Sequence, residues 1–245
     1  MRATSTSGVL IVSLLAVPGL CRSASGDIVV DYVAANSSSI APTTQGAGVT
    51  GSNLTGASGL IFAGNGFEWS GWETNSLANA ITANEYLEWG FTSTQTYDLS
   101  DLDIRYDALG NGPENLAIQA SINGGGFQTI YTDDAVATGG FDAANIDLSS
   151  FASVTSAVFR LFAWNANNAN GRLNVENSTS FGNAAIVVNG VAIPEPASLV
   201  MMGLAGCAWV VCSRWRQSRR RSSTAASSEH EETRLEHKPG LLQAV

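Results

Sequence analysis

Short runs in which apolar and polar residues alternate are the feature that most constrains the fold of this chain. In residues 102–107 (LDIRYD), Leu102, Ile104 and Tyr106 occupy alternate positions, the period-two pattern of a strand buried on one face. Similar β-rich runs occupy 27–33, 85–92, 116–122, 127–132, 157–164 and 185–191. Their spacing predicts about ten strands in one all-β domain, an antiparallel β-sandwich or jelly roll over 26–192.

Two local signals refine this prediction. The segment 123–126 (NGGG) lies between two of the runs and predicts a hairpin, because glycine tolerates positive φ. The segment 77–85 is the best candidate for a short helix or irregular insert, since no long stretch with a 3.6-residue period is present.

The composition of residues 26–192 limits the chemistry that is available there. The region contains no cysteine, histidine, lysine or methionine, which excludes disulfides, thiol or imidazole catalysis, and zinc sites built on Cys or His. Sixteen acidic residues stand against three arginines, a formal charge of −13. Such a surface repels phosphate backbones, so nucleic acid is not an expected partner.

The first 25 residues have the pattern of an export signal. Arg2 precedes a 13-residue apolar stretch, 8–20, which is shorter than the ~20 residues that a membrane helix needs. Ser23 and Ser25 supply small residues before a cleavage point at Gly26. Residues 1–25 are therefore predicted to be a signal peptide, with the export machinery and signal peptidase as partners; a buried helix of the fold is the alternative.

Three features follow one another after the β-rich region. Pro194-Glu195-Pro196 comes first, an apolar run at 197–212 comes second, and a basic cluster comes third. As a helix the run would be ~24 Å long, so with its interfacial neighbours it predicts one transmembrane helix over about 197–213. Arginines stay on the cytoplasmic side, which places residues 26–192 outside. The cluster comprises Arg214, Arg216, Arg219, Arg220 and Arg221.

This arrangement resembles the PEP-CTERM sorting signal of Gram-negative bacteria over residues 193–221. The resemblance implies passage across the inner membrane, recognition by an exosortase-type membrane protease, and transfer to the cell surface or an exopolysaccharide matrix. Pro194, Glu195 and Pro196 would be recognised as substrate residues. The 24 residues that follow, 222–245, depart from the family pattern, and their low complexity predicts a disordered tail. An ordinary single-span anchor is the alternative.

The β-rich region is itself similar to jelly-roll modules of exported bacterial proteins. The likeness covers most of 26–192 and is carried by EYLEWGFTS, LSDLDIRYD, LAIQASINGGGFQTIY and FRLFAWN. The resemblance implies the fold but does not identify a ligand. Some members of this architectural class bind carbohydrate, and some carry structural calcium.

Two tryptophans are candidates for carbohydrate stacking. Trp69 and Trp72 lie in the segment FEWSGWE, with Glu68 and Glu73 beside them as acceptors for sugar hydroxyls. A flat apolar ring suits the C–H face of a pyranose. Burial in the core of the sandwich is the alternative role for both rings.

Four aspartates are candidate calcium ligands, the one cofactor that the sequence suggests. Asp98, Asp101, Asp103 and Asp107 fall within ten residues, and hard cations take several oxygen ligands. The spacing lacks the D-x-[DN]-x-[DN]-G loop of an EF-hand. A solvated ion pair of Asp103 and Asp107 with Arg105 is the alternative.

These observations favour binding or scaffolding over catalysis. The predicted function is an exported structural or adhesive protein of the cell surface or extracellular matrix, with a carbohydrate-binding module for extracellular polysaccharide as the alternative. A glycosidase would need a carboxylate pair such as Glu85 and Glu88, or Glu68 and Glu73. Nothing in the sequence marks either pair as catalytic, so no enzyme activity is expected.

Overall fold

The computed structural model describes residues 26–194, which form thirteen strands, one short α-helix and one 3-10 turn. The strands are β1 (Asp27–Tyr32), β2 (Ser39–Ile40), β3 (Thr44–Gln45), β4 (Val49–Gly56), β5 (Ile61–Gly64), β6 (Phe67–Ser70), β7 (Tyr86–Leu109), β8 (Asn115–Ile122), β9 (Gln128–Asp133), β10 (Asp142–Asp147), β11 (Val154–Trp164), β12 (Arg172–Val175) and β13 (Ile186–Ile193). The helix α1 is Leu77–Ala83, and the 3-10 turn is Thr179–Phe181.

Strand β7 organises the domain because it runs through both layers of a sandwich. Its first half pairs with β4 on one side and β11 on the other, and β11 continues to β8 and β9. Its second half pairs with β13 and β12 on one side and with β10 on the other. Strands β1 and β3 extend from β13, and β6 and β5 extend from β12. The first half and its partners are called the first layer below, and the second half and its partners the second layer.

Side chains that cross between the layers show that the two faces pack together. Tyr32 on β1 donates from its hydroxyl to the carbonyl oxygens of Ser52 (2.7 Å) and Gly90 (3.1 Å) in the first layer. Tyr106, on the second half of β7, donates to a carboxylate oxygen of Asp133 on β9 at 2.8 Å. The core between the layers is apolar and includes Trp89, which stacks on Phe159 with ring centroids 5.7 Å apart.

The predicted fold class is confirmed, because every named strand pair is antiparallel and the layers form a sandwich. The predicted runs coincide with β1, β8, β9, β11 and β13. The runs at 85–92 and 102–107 are not separate strands, however, because the polar residues between them stay extended and paired with β11 and β13 within β7.

The predicted hairpin and helix are also confirmed. Asn123 (φ 51°) and Gly124 (φ 74°) turn the chain between β8 and β9, with two successive positive φ values as in a type I′ turn. Ser76 caps α1, because its side chain accepts from the backbone N–H of Asn79 at 3.3 Å. Asn84 ends the helix in the left-handed region at φ 56°.

The predicted signal peptide (1–25), the transmembrane helix (about 197–213) and the tail (222–245) lie outside the described residues. Among the helices of residues 26–194, none has the length and apolar character to cross a bilayer.

Candidate functional site

Both candidate stacking tryptophans lie in the core, which corrects the prediction that they present a face to sugar. Trp72 is fully buried and donates from Nε1 to the carbonyl oxygen of Trp69 at 2.7 Å. Trp69 is 5% exposed and packs edge-on against Phe62 and Phe67. Its ring also lies over Gly56 of the first layer, where any Cβ would overlap it. The two indoles therefore close one side of the sandwich.

The four candidate calcium ligands are spread along β7 and do not converge. Asp98 accepts from the backbone N–H of Ser153 at 2.9 Å. Asp101 and Asp103 share the side-chain amide of Asn189, at 2.7 and 3.2 Å. An extended strand rises about 3.3 Å per residue, so Asp107 lies roughly 20 Å beyond Asp101. Within residues 26–194, no three Asp, Glu, His or Cys side chains are grouped to hold a metal ion.

Asp107 differs from the other three because it is only 2% exposed. The predicted solvated ion pair with Arg105 is wrong, since Arg105 instead donates to the carbonyl oxygen of Asn177 at 2.9 Å and lies over the ring of Phe141 at 3.8 Å. Burial, with the charges of Glu176 and Glu68 nearby, raises the pKa of Asp107 to about 6.

Three of the glutamates that a glycosidase could have used in a catalytic pair bond to other side chains instead. Glu88 forms an ion pair with Arg160 at 2.8 Å, and Glu68 forms one with Arg172 at 3.0 Å. Glu85 is nearly buried and accepts from the hydroxyl of Thr74 at 2.7 Å. Each pair thus includes a carboxylate that is held by an arginine.

Of the predicted sorting residues, Pro194 is exposed at the end of the described chain. Glu195, Pro196 and the arginine cluster at 214–221 lie outside the described residues.

A polar row across four strands of the first layer is the best candidate binding surface. Its members are in register on the outward side of β7, β11, β8 and β9, because the residues between them alternate into the core. The row comprises Glu88, Arg160, Gln119 and Thr129. Gln119 donates from Nε2 to the hydroxyl of Thr129 at 3.3 Å.

Two aromatic rings hold the arginine of this row in place. The guanidinium carbon of Arg160 lies 4.3 Å from the ring centroid of Tyr86 and 4.1 Å from that of Phe127, within the range of a cation–π contact. Its Nε donates to Glu88, whereas its two Nη atoms have no hydrogen-bond partner within residues 26–194. The side chain is 28% exposed. The row with Tyr86 and Phe127 is called the arginine face below.

The arginine face was not predicted from the sequence, although one signal pointed to it. Arg160 alternates with the core residues Phe159 and Leu161, so its outward direction could have been predicted. The neighbours of Arg160 depend on the register of strands that are distant in sequence, and on the turn that brings Phe127 over the sheet. Short-range periodicity does not carry that information.

Comparisons with known proteins give remote likenesses only. No family model and no curated protein matches this chain. Among solved structures, the chain is similar to a carbohydrate binding module of family 29, with 11% identity, 71% of this chain and 98% of that chain covered, and a TM-score of 0.34. A mutant of a family 29 module was solved in complex with mannohexaose, and it shares 10% identity over 67% of this chain and 92% of that chain, with a TM-score of 0.34.

A third similar structure is the family 89 glycoside hydrolase from Clostridium perfringens. It shares 20% identity at a TM-score of 0.32, over 60% of this chain but only 15% of the hydrolase. At these scores the likenesses support no conclusion about a ligand or a reaction.

Proposed function

We propose that this chain is an exported structural or adhesive protein of the cell surface or extracellular matrix, and that its sandwich binds neutral extracellular polysaccharide through the arginine face. The observation that carries the proposal is the placement of Arg160 between Tyr86 and Phe127 on an open sheet surface. The PEP-CTERM-like segment at 193–221 would deliver the domain to that location, with an exosortase-type protease and the membrane as partners.

The chemistry of the arginine face suits sugar hydroxyls. Unpaired guanidinium N–H groups donate, the carboxylate of Glu88 accepts, and the amide of Gln119 does both. Phe127, which is 38% exposed, adds an apolar ring. Rings and an ion pair fix the arginine before any ligand arrives, which lowers the entropy cost of binding.

The charge of the domain narrows the ligand class. Residues 26–192 carry a formal charge of −13, so a polyanionic polysaccharide would be repelled over most of the surface. A neutral polysaccharide incurs no such repulsion, and it can still use the donors and acceptors of the row.

Affinity electrophoresis against the neutral fraction of the polysaccharide extracted from the producing cells tests the proposal. We expect Arg160→Ala to weaken retention of the full chain by about tenfold or more, or at least ~1.4 kcal/mol. Arg160→Lys should recover little of that loss, because an ammonium lacks the planar fork of donors. Arg105→Ala is the matched control, because it removes an arginine that lies on an aromatic ring in the second layer.

Equal retention of the wild type and Arg160→Ala would contradict the arginine face as the binding surface. If neutral polysaccharide does not retain the wild type, the proposed sugar binding is wrong. The structural role of the domain would then not involve a sugar ligand.

A further inference from the structure

A second polar cluster lies on the outward side of the second layer, away from the arginine face. Asn174 on β12 is in register with Glu68 on β6 and with Asp107 on β7. Glu176 lies two residues beyond Asn174 and therefore on the same side. Side chains that are directly opposite have Cβ atoms roughly 4.5–5.5 Å apart. The group of Glu68, Asp107, Asn174 and Glu176 is called the acidic cluster below.

Two oxygen atoms in the acidic cluster are buried and lack any hydrogen-bond partner within residues 26–194. They are Oδ1 of Asp107 and Oδ1 of Asn174, in residues that are 2% and 3% exposed. Buried polar atoms in folded proteins are nearly always paired, and each exception calls for an explanation. Both unpaired atoms are acceptors, so the missing partner is a donor or a cation.

Only one of the two polar atoms of the Asn174 side-chain amide has a hydrogen-bond partner within the described residues. Its Nδ2 donates to Oε1 of Glu176 at 2.5 Å, which identifies the opposite atom as the oxygen. That oxygen is the nearest atom to the position of a Cβ on Gly66, at 3.8 Å. A cavity of about 250 Å³ adjoins this point; its lining includes Asn65, Gly66, Asn174 and Glu176, whereas Asp107 lies behind the lining, opposite Asn174 in the register.

The protein balances the negative charge of the acidic cluster only in part. Glu68 is neutralised by Arg172 at 3.0 Å. Asp107 and Glu176 have no ion-pair partner within the described residues, since Arg105 donates to a backbone carbonyl instead. The two remaining carboxylates carry a formal charge of −2; Asp142 adds negative charge near Asp107, and Arg105 offsets part of it from a distance without forming an ion pair. A divalent cation matches that charge, whereas a neutral sugar hydroxyl does not.

We propose that the acidic cluster binds a calcium ion, with the carboxylates of Asp107 and Glu176 and the amide oxygen of Asn174 as its protein ligands. Oxygen donors of these kinds are those that calcium prefers, and the cavity leaves room for the waters that complete its coordination. The inference depends on the second layer alone, so it stands or fails independently of the arginine face.

Calorimetric titration of the chelator-treated full chain with calcium chloride tests this site, with thermal unfolding as a second readout. We expect saturable binding of one calcium ion, and a rise in Tm of roughly 5–10 °C when free calcium is a hundred times Kd. Magnesium should bind more weakly, because it releases its waters reluctantly and requires octahedral geometry.

Asp107→Asn and Glu176→Gln should each reduce calcium affinity at least tenfold. Asp101→Asn is the matched control, because Asp101 also lies on β7 beside another carboxylate and an asparagine. It should leave the titration unchanged.

Three results would overturn the proposal. They are no calcium binding by the wild type at millimolar calcium, retention of binding by both Asp107→Asn and Glu176→Gln, and loss of binding in Asp101→Asn instead.

Discussion

At the scale of single residues, the position of a carboxylate in the strand register determines which side chains surround it, and therefore whether its negative charge is favoured. Glu88 lies directly opposite Arg160 and pairs with it at 2.8 Å. Glu68 lies opposite Asn174 and pairs at 3.0 Å with Arg172, two positions along the same strand. Asp107 faces an asparagine and lies near two other carboxylates, so its negative charge is disfavoured. The carboxylates of this domain therefore differ in whether an arginine lies close enough to form an ion pair with them.

Asp107 should make the calcium-free protein less stable as the pH rises. Its pKa is raised to about 6 in the folded state, against about 3.9 when unfolded. The folded state therefore holds the proton more tightly, and the free energy of unfolding falls between about pH 4 and pH 7, by at most about 3 kcal/mol from this group. Charges that face Asp107 are those of Glu176, Glu68, Asp142 and Arg105.

Urea unfolding in the presence of chelator at pH 4.5 and 7.5 measures this effect. Asp107→Asn has no titrating group at the position, so the variant should gain stability relative to wild type as the pH rises. A constant difference between the two proteins at both pH values would show that Asp107 titrates normally.

At the scale of elements, the close pairing of β7 with β11 depends on one glycine. A Cβ on Gly90 would overlap the backbone carbonyl oxygen of Ala157, and the carbonyl of Gly90 also accepts from Tyr32. The neighbouring strand cannot move away without disturbing the ladder that joins β7, β11 and β8. The absence of a side chain at this position therefore allows the close approach of β7 and β11.

Gly90→Ala should lower the free energy of unfolding by about 1–3 kcal/mol or more, because the overlap is with backbone and not with a flexible side chain. Chemical denaturation compared with Gly126→Ala provides the measurement. Gly126 has no atom within 4 Å of its potential Cβ, so its replacement should change stability little. Wild-type stability of Gly90→Ala would contradict the tight approach of the strands.

The strands could be predicted from the sequence better than the arginine face and the acidic cluster, because a strand follows from local alternation whereas these sites follow from the pairing of distant strands. Alternation within a run such as 102–107 indicates an extended backbone and the face that is buried; both were predicted correctly, although the strand β7 is longer than the run. The arginine face and the acidic cluster each join residues from three or more strands, with Glu68 and Asn174 more than a hundred residues apart. Their contacts follow from register, which a local pattern does not encode. Trp69 and Trp72 were ambiguous because aromatic rings suit both a core and a sugar.

At the scale of the whole molecule, both ends of the described domain emerge together. Asp27 on β1 pairs with Gly190 on β13, so the chain enters beside the point where it leaves toward Pro194. The predicted sorting segment would therefore begin directly at the edge of the sandwich, next to the proposed signal-peptide cleavage point.

Deletion of residues 193–221 should abolish surface retention if the PEP-CTERM-like segment is the sorting signal. Fractionation of producing cells, with mass spectrometry of the mature C-terminus, measures both location and processing. We expect the deleted protein in the soluble secreted or periplasmic fraction, with the sandwich still folded. Unchanged surface retention would contradict the proposed role of the segment.

The position of β13 would have a mechanical consequence in the proposed role, in which the domain adheres to a matrix and is attached through its C-terminal end. β13 lies between β1 and β7 and pairs antiparallel with both. A pulling force applied through Pro194 acts along this strand, so the hydrogen bonds of both ladders are loaded in parallel, in shear. An edge strand pulled sideways would instead lose its bonds one after another. In the proposed role, tension would therefore reach the domain through a strand that is paired on both sides.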